Sequence, residues 1–303
     1  MFALSTAWNA DRLSDGIEIA EEIHGLGIEQ IELNFSLTEQ MVKDIAQFSL
    51  QKNISIVSLH NYCPIPKEKK REEAMPDCYS LSSLDEDERK KAIHYTKATI
   101  STAKKLNARA VVLHSGRVEI QDKTRNLIDL ARLGKKNSQE YKEIFSSFVR
   151  ERKAKSEKYF VQILKSLEAL SVYAQDSGIL LGIENRYYYR EIPSLEECGI
   201  IMEKFKGRNV CYWHDVGHAF ILEQLGFMQE NDWLNNYGKY IGGIHMHNVK
   251  NLIDHHAPFE GDFDFSLLEP FVNPQTIKVL EVHSQVKSEG VTRSMEFLKG
   301  CFA

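Results

Sequence analysis

Short apolar runs rich in Val, Ile and Leu recur along the chain, each followed by a stretch whose apolar positions repeat at helical spacing. "FALST" (2–6) precedes a helix predicted around Asp15–Leu26, and "QIELNF" (30–35) one around Thr38–Gln51. "ISIVSL" (54–59) leads through a polar loop into Asp85–Leu106, where "SLDEDE" is an acidic helix start. "AVVL" (110–113) is followed by a long charged region ending in a helix around Lys158–Gln175. "ILLGIE" (179–184) precedes Ser194–Phe205, and "NVCYWH" (209–214) precedes a helix starting near Gly217. "IGGIHM" (241–246) precedes a loop and a short helix near Phe265–Phe271, and "IKVLEV" (277–282) precedes Val291–Leu298.

Eight strand–helix units alternate, which predicts parallel pairing, and runs without polar alternation predict strands buried on both faces. Eight such units closing on themselves make a (β/α)8 TIM barrel of the α/β class, here a single domain over residues 1–303. An open doubly wound sheet is the competitor. "STAWNAD" after the first strand carries no glycine-rich phosphate turn, so the barrel is preferred. Residues 115–155 exceed an ordinary loop and predict a helical insertion after strand 4, at the mouth of the barrel, as a lid or a peripheral embellishment.

Composition sets few limits. The chain is 43% hydrophobic and 27% charged, with net charge −5, which exerts no global pull on nucleic acid. Within 117–158, however, twelve Lys/Arg face seven Asp/Glu, a basic segment read either as a solvated face or as a rim that attracts an anionic substrate. Five scattered cysteines form no C-x-x-C pair, which argues against a disulfide framework and a thiolate zinc site. With no secretory signal in "MFALSTAWNADRL" and no apolar stretch of spanning length, a cytoplasmic protein without membrane partners is expected.

Chemistry concentrates where strands end. His60 closes strand 3, His114 follows strand 4, and Glu184 closes strand 5. Asp215 and His218 lie in "WHDVGH" and His245 in "IHMHN", then come Asp254, His255 and His256, and finally Glu281 in "VLEVH". C-terminal strand ends converge in a barrel, and so many ionisable groups brought together uncompensated would cost several kcal/mol each. A divalent cation removes that cost, and mixed imidazole and carboxylate donors suit Zn, Mn or Fe better than Mg or Ca. On this reading His245 and the 254–256 loop are ligands, while His247 and His255 are supporting or solvated residues.

The motifs "IEN", "DVGHA", "HMHN", "DHHAPFEGDFDF" and "LEV" resemble those of the xylose isomerase-like TIM barrels, the superfamily that includes sugar-phosphate isomerases and epimerases and the apurinic-site endonucleases of family 2. In the isomerase branch the resemblance implies one ion held by Glu184, Asp215, His245 and Glu281. In the endonuclease-like branch it implies three: His60, His114 and Glu184 at the first, Glu184 bridging to Asp215, His245 and Glu281 at the second, and His218, Asp254 and His256 at the third. A one-residue gap before "FEGD" leaves His255 and His256 as alternatives at the third ion. The strand-3 loop "HNYCPIP", the insertion and "NRYYYREIP" depart from the endonucleases, and no residues of the kind they insert into DNA are found.

Two activities follow. In the first, Glu184 and Glu281 exchange protons on opposite faces of a sugar or sugar phosphate next to a metal-chelated carbonyl, with His218 on a substrate oxygen. In the second, a polynuclear centre hydrolyses a small phosphate ester. The first is preferred, narrowly. Arg186, Tyr188, Arg190 and Trp8 are candidate substrate contacts, with Arg186 or Arg190 gripping an anion. The expected partner is a small molecule and not nucleic acid. Association into a homo-oligomer stays open.

Overall fold

The computed structural model describes residues 1–302. Eight parallel strands close a barrel: β1 (Ala3–Ser5), β2 (Gln30–Leu33), β3 (Ser55–His60), β4 (Ala110–Leu113), β5 (Leu180–Glu184), β6 (Val210–Asp215), β7 (Ile241–Met246) and β10 (Ile277–Leu280). Each pairs with its neighbours in sequence order, and β10 returns to β1 through Ala3 opposite Val279. All eight apolar runs form strands, because only residues tolerant of burial on both faces fit a sheet covered inside and out. A two-stranded antiparallel hairpin, β8 (Asn248–Lys250) and β9 (Ile253–His256), stands on the mouth after β7.

The barrel floor is filled by one side chain. Trp213 is fully buried and packs with Ala3, Val57, Ala110, Val112, Ile277 and Val279. Gly182 and Gly243 make room for it, since a Cβ at either would collide with the indole. The other core layer lies between barrel and helices, where Ile19, Ile23, Ile45, Ile100, Leu167 and Ile201 are buried.

The outer helices are α1 (Gly16–Gly25), α2 (Glu39–Lys52), α3 (Glu86–Lys105), α4 (Thr124–Arg132), α5 (Gln139–Ser177), α6 (Leu195–Lys204), α7 (Val216–Leu225), α8 (Asp232–Tyr237) and α9 (Ser288–Cys301). Caps explain their starts: Asp15, Thr38, Asp85 and Ser194 each accept backbone N–H bonds at the first turn. The predicted short helix at 265–271 is a 3-10 helix holding Pro270, which removes one backbone donor. No helix among the described residues is long and apolar enough to cross a membrane, and all five cysteines are unpaired.

The insertion differs from the sequence expectation in one respect. The predicted helix at 158–175 is the second half of α5, which runs 39 residues without a break. Ser138 caps its start by accepting from the Tyr141 N–H, no Gly or Pro interrupts it, and left-handed Gly178 ends it. One rod of about 58 Å thus joins the insertion to the barrel wall. The insertion is also stitched to the loop between β5 and α6. The backbones of Arg117 and Glu191 form an isolated antiparallel bridge, Val118 N–H donates to Arg190 O, and Tyr189 N–H donates to Thr124 Oγ1. Buried Arg152 of α5 donates to Tyr189 O and Glu191 O and pairs with Glu197 at 2.7 Å.

On α7, burial pushes the Glu223 carboxyl up from 4.5 to about 7, with Glu230 and Asp232 adding to the effect. The folded chain therefore holds this proton at pH values where the unfolded chain has released it, and stability falls as pH rises from about 4.5 to 7. Because the side chain is partly exposed, Glu223→Gln is expected to stabilise by about 1–2 kcal/mol at pH 8. It is expected to change nothing at pH 4, and thermal melts at the two pH values measure the difference.

Candidate active site

Side chains at or just beyond several strand ends meet in a cavity of about 420 Å³ at the barrel mouth, lined by His60, His114, Glu184, Arg186, His218, Asp254, His255 and Glu281, among others. Against Glu184 and Glu281 lies His245, fully buried. Its Nδ1 lies 2.7 Å from Glu184, 3.1 Å from Glu281 and 3.8 Å from Asp215. Its Nε2 lies 3.0 Å from Glu32, which also accepts from Ser58 Oγ at 2.7 Å. Trp213 meets the His245 ring edge-on, with ring centres 5.3 Å apart, so the tryptophan of the barrel floor also seats the imidazole.

Four donor groups gather within this space: His60, His114 and Glu184; Glu184, Asp215, His245 and Glu281; His218, Asp254 and His255; and His247, His255 and Glu281, the ligand atoms of each lying within 4.8 Å of one another. Glu184 belongs to two of them. It contacts His114 Nε2 at 3.0 Å, and it pairs with Arg186, whose Nε stands 3.5 Å from Glu191 on the other side.

Electrostatics here is a contest between burial and neighbours. Burial opposes ionisation of Glu184, but Arg186 and hydrogen bonds from His114 and His245 hold its carboxyl well below the usual range. Burial likewise works against charge on His245, yet Glu281, Glu32 and Glu184 push it well above an ordinary histidine. Burial raises Glu281, with the other carboxylates adding to the rise against His245. Burial lowers His60, His114 and His255, which favours the neutral imidazole that ligates metals. Glu32, Glu184, Asp215 and Glu281 thus crowd one imidazole, with Arg186 beside Glu184 and His247 beside Asp215. That is a donor set matched to a divalent cation.

Supporting residues fix the first ring. Asn185 Oδ1 accepts from the Asp215 N–H and from Tyr212 Oη, and its Nδ2 donates to Asp215 O. Asp215 caps α7 by accepting from the His218 N–H, and burial against it His247 Nε2 stands at 3.1 Å. Gly217 admits the His247 ring, which a Cβ there would strike.

The structure brings His60, His114, Glu184, Asp215, His218, His245, Asp254 and Glu281 into neighbouring donor groups. It does so with His255 in place of His256. His255 adopts a left-handed backbone at φ 56°, and its ring stacks between His247 and His283, leaving His256 outside every donor group. His247 is buried against Asp215 and is not solvated. Of the four substrate-contact candidates, Arg186 and Tyr188 line the cavity. Trp8 does not: it is buried, and its Nε1 donates to Val286 O at 2.7 Å. Arg190 turns away and donates to Ile120 O of the insertion. Glu32 was missed, although a glutamate inside the apolar run "QIELNF" was a visible signal. His283, Tyr187 and Arg125 also line the cavity.

A closed eightfold barrel whose acidic and imidazole side chains meet at the C-terminal mouth is the arrangement of TIM-barrel proteins that place their chemistry at strand ends. The chain belongs to the xylose isomerase-like TIM barrel family, which it matches over residues 20–301. No curated protein matches the sequence. Among solved structures, the 3-keto-D-glucoside 4-epimerase of E. coli is similar, with TM-score 0.68, 12% identity and 99% of each chain covered. So is D-psicose 3-epimerase from Clostridium cellulolyticum, with TM-score 0.67, 13% identity, and coverage of 99% of this chain and 98% of that one. A D-tagatose 3-epimerase-like protein shares 18% identity at TM-score 0.62, over 99% and 96% of the two chains. At these identities the similarity establishes the fold.

Proposed function

We propose that the protein is a divalent-metal-dependent isomerase or epimerase acting on a sugar or sugar derivative. The observation that carries this reading is the buried group of Glu184, Asp215, His245 and Glu281, two of whose carboxylates face the cavity. The epimerases among the structural neighbours support it. Glu184, Asp215, His245 and Glu281 would hold the ion, with Glu32 orienting His245 from its far nitrogen. A bound divalent cation of the Zn, Mn or Fe kind would polarise a carbonyl and acidify the adjacent C–H.

The protein's own groups supply the rest. Glu184, at the end of β5, and Glu281, just beyond β10, both face the cavity, and Arg186 stands beside Glu184 alone of the two. One of the pair would take a proton from carbon while the other returns one. His218, whose Nδ1 stands 3.1 Å from Asn185 O, is placed to contact a substrate oxygen. Tyr187 packs edge-on against His218 and walls the cavity.

A second reading, hydrolysis of a phosphate ester at a polynuclear centre, is favoured by one observation: Glu184 is shared between two donor groups, and His218, Asp254 and His255 form a third nearby. Metal content separates the two. Elemental analysis of protein purified without chelator is expected to give one Zn, Mn or Fe per chain. A value near three favours hydrolysis, and none removes both readings. Stripping the metal is expected to abolish turnover and lower the melting temperature, with both restored by adding the ion back. Assays on a ketose panel beside phosphomonoesters and phosphodiesters identify the reaction.

A further inference from the structure

We propose that Arg125, on helix α4 of the insertion, forms an oxyanion-recognition subsite at the mouth of the cavity, so that the substrate carries a phosphate or carboxylate remote from the reacting carbons. The proposal deepens the isomerase/epimerase reading and rests on it for the word substrate, while the subsite itself stands on geometry.

The cavity wall holds two permanent cations, Arg125 and Arg186. Arg186 is committed: it is buried between Glu184 and Glu191. Arg125 has no carboxylate within ion-pair distance among the described residues. Instead its Nη2 donates to Tyr188 Oη at 2.6 Å, and its guanidinium lies over the Tyr188 ring, 5.5 Å from the centroid. A neutral phenol thus holds the side chain at the rim while leaving its charge uncompensated and most of its five N–H donors free. A planar, weakly hydrated, pre-positioned fork is suited to two-point recognition of carboxylate or phosphate.

The backbone around it is fixed for the task. Thr124, next in chain, accepts from the Tyr189 N–H, which ties the start of α4 to the loop that carries Tyr188. Among the cavity-lining residues Arg125 is therefore the cation without an ion-pair partner, set apart from the carboxylates and imidazoles of the donor groups. A molecule with a polyol at one end and an oxyanion at the other matches that polarity.

The test is calorimetric binding to metal-loaded protein of matched pairs: D-fructose against D-fructose 6-phosphate, D-galactose against D-galacturonate, and inorganic phosphate alone. The anionic member of at least one pair is expected to bind roughly 10- to 100-fold tighter than its neutral partner. Which pair shows the preference tells phosphate from carboxylate. Arg125→Gln is expected to remove the preference, Arg125→Lys to retain part of it, and Tyr188→Phe to weaken it through loss of the hydroxyl that positions the guanidinium. Equal binding of neutral and anionic partners, a preference that survives Arg125→Gln, or no binding of any probe overturns the subsite. If no sugar binds but phosphate binding falls in Arg125→Gln, the subsite stands and the sugar reading fails.

Discussion

Glu184→Gln is expected to lower turnover by at least about 10³-fold, equivalent to roughly 4 kcal/mol of transition-state stabilisation, while the circular dichroism spectrum stays that of the parent. The side chain touches His114, His245 and Arg186 and belongs to two donor groups at once. The amide keeps the volume but loses the charge that holds those partners, so metal content is expected to fall with activity. Glu184→Asp, which keeps the charge on a shorter stem, is expected to fall between the two. Turnover and metal content equal to the parent's in Glu184→Gln would remove this residue from the site and the proposed chemistry with it.

Trp213→Ala carries the largest expected effect on stability. Removing a fully buried indole from a closed barrel leaves a cavity that Gly182 and Gly243 cannot fill, at a cost of about 3–5 kcal/mol. For a chain of this size that corresponds to a drop of roughly 5–8 °C in melting temperature. His245 also loses the ring edge it rests on, so metal affinity is expected to weaken in the variant even where it remains folded. Chemical denaturation at 25 °C with metal titration of the folded fraction measures both effects; an unchanged midpoint would mean the floor can collapse around the gap.

The barrel was legible because its signal is redundant. Eight apolar runs separated by amphipathic stretches leave few other folds, and a polar residue at the end of such a run has one direction to point. That rule located His60, Glu184 and Asp215. It failed for Glu32, which lies within its strand and reaches inward to His245, because strand-end reasoning does not look along the barrel axis. It also failed between His255 and His256. Their order in sequence is identical under either choice, and the left-handed backbone at His255 that decides which ring faces the cavity is a product of the hairpin. Trp8 and Arg190 went astray for a related reason: composition gives a side chain's chemistry, whereas only packing tells whether Val286 or Ile120 has already taken its hydrogen bond.

The Arg152 contacts reach as far as the reacting carboxylate. One guanidinium fastens the long rod of α5 to Tyr189 and Glu191, and Glu191 in turn faces Arg186, the counterion of Glu184. The long rod and the charge balance at the reacting centre are therefore joined by one chain of polar contacts. Arg152→Met is expected to lower activity although residue 152 lies outside the cavity, and steady-state kinetics beside a thermal melt separates that effect from simple loss of fold.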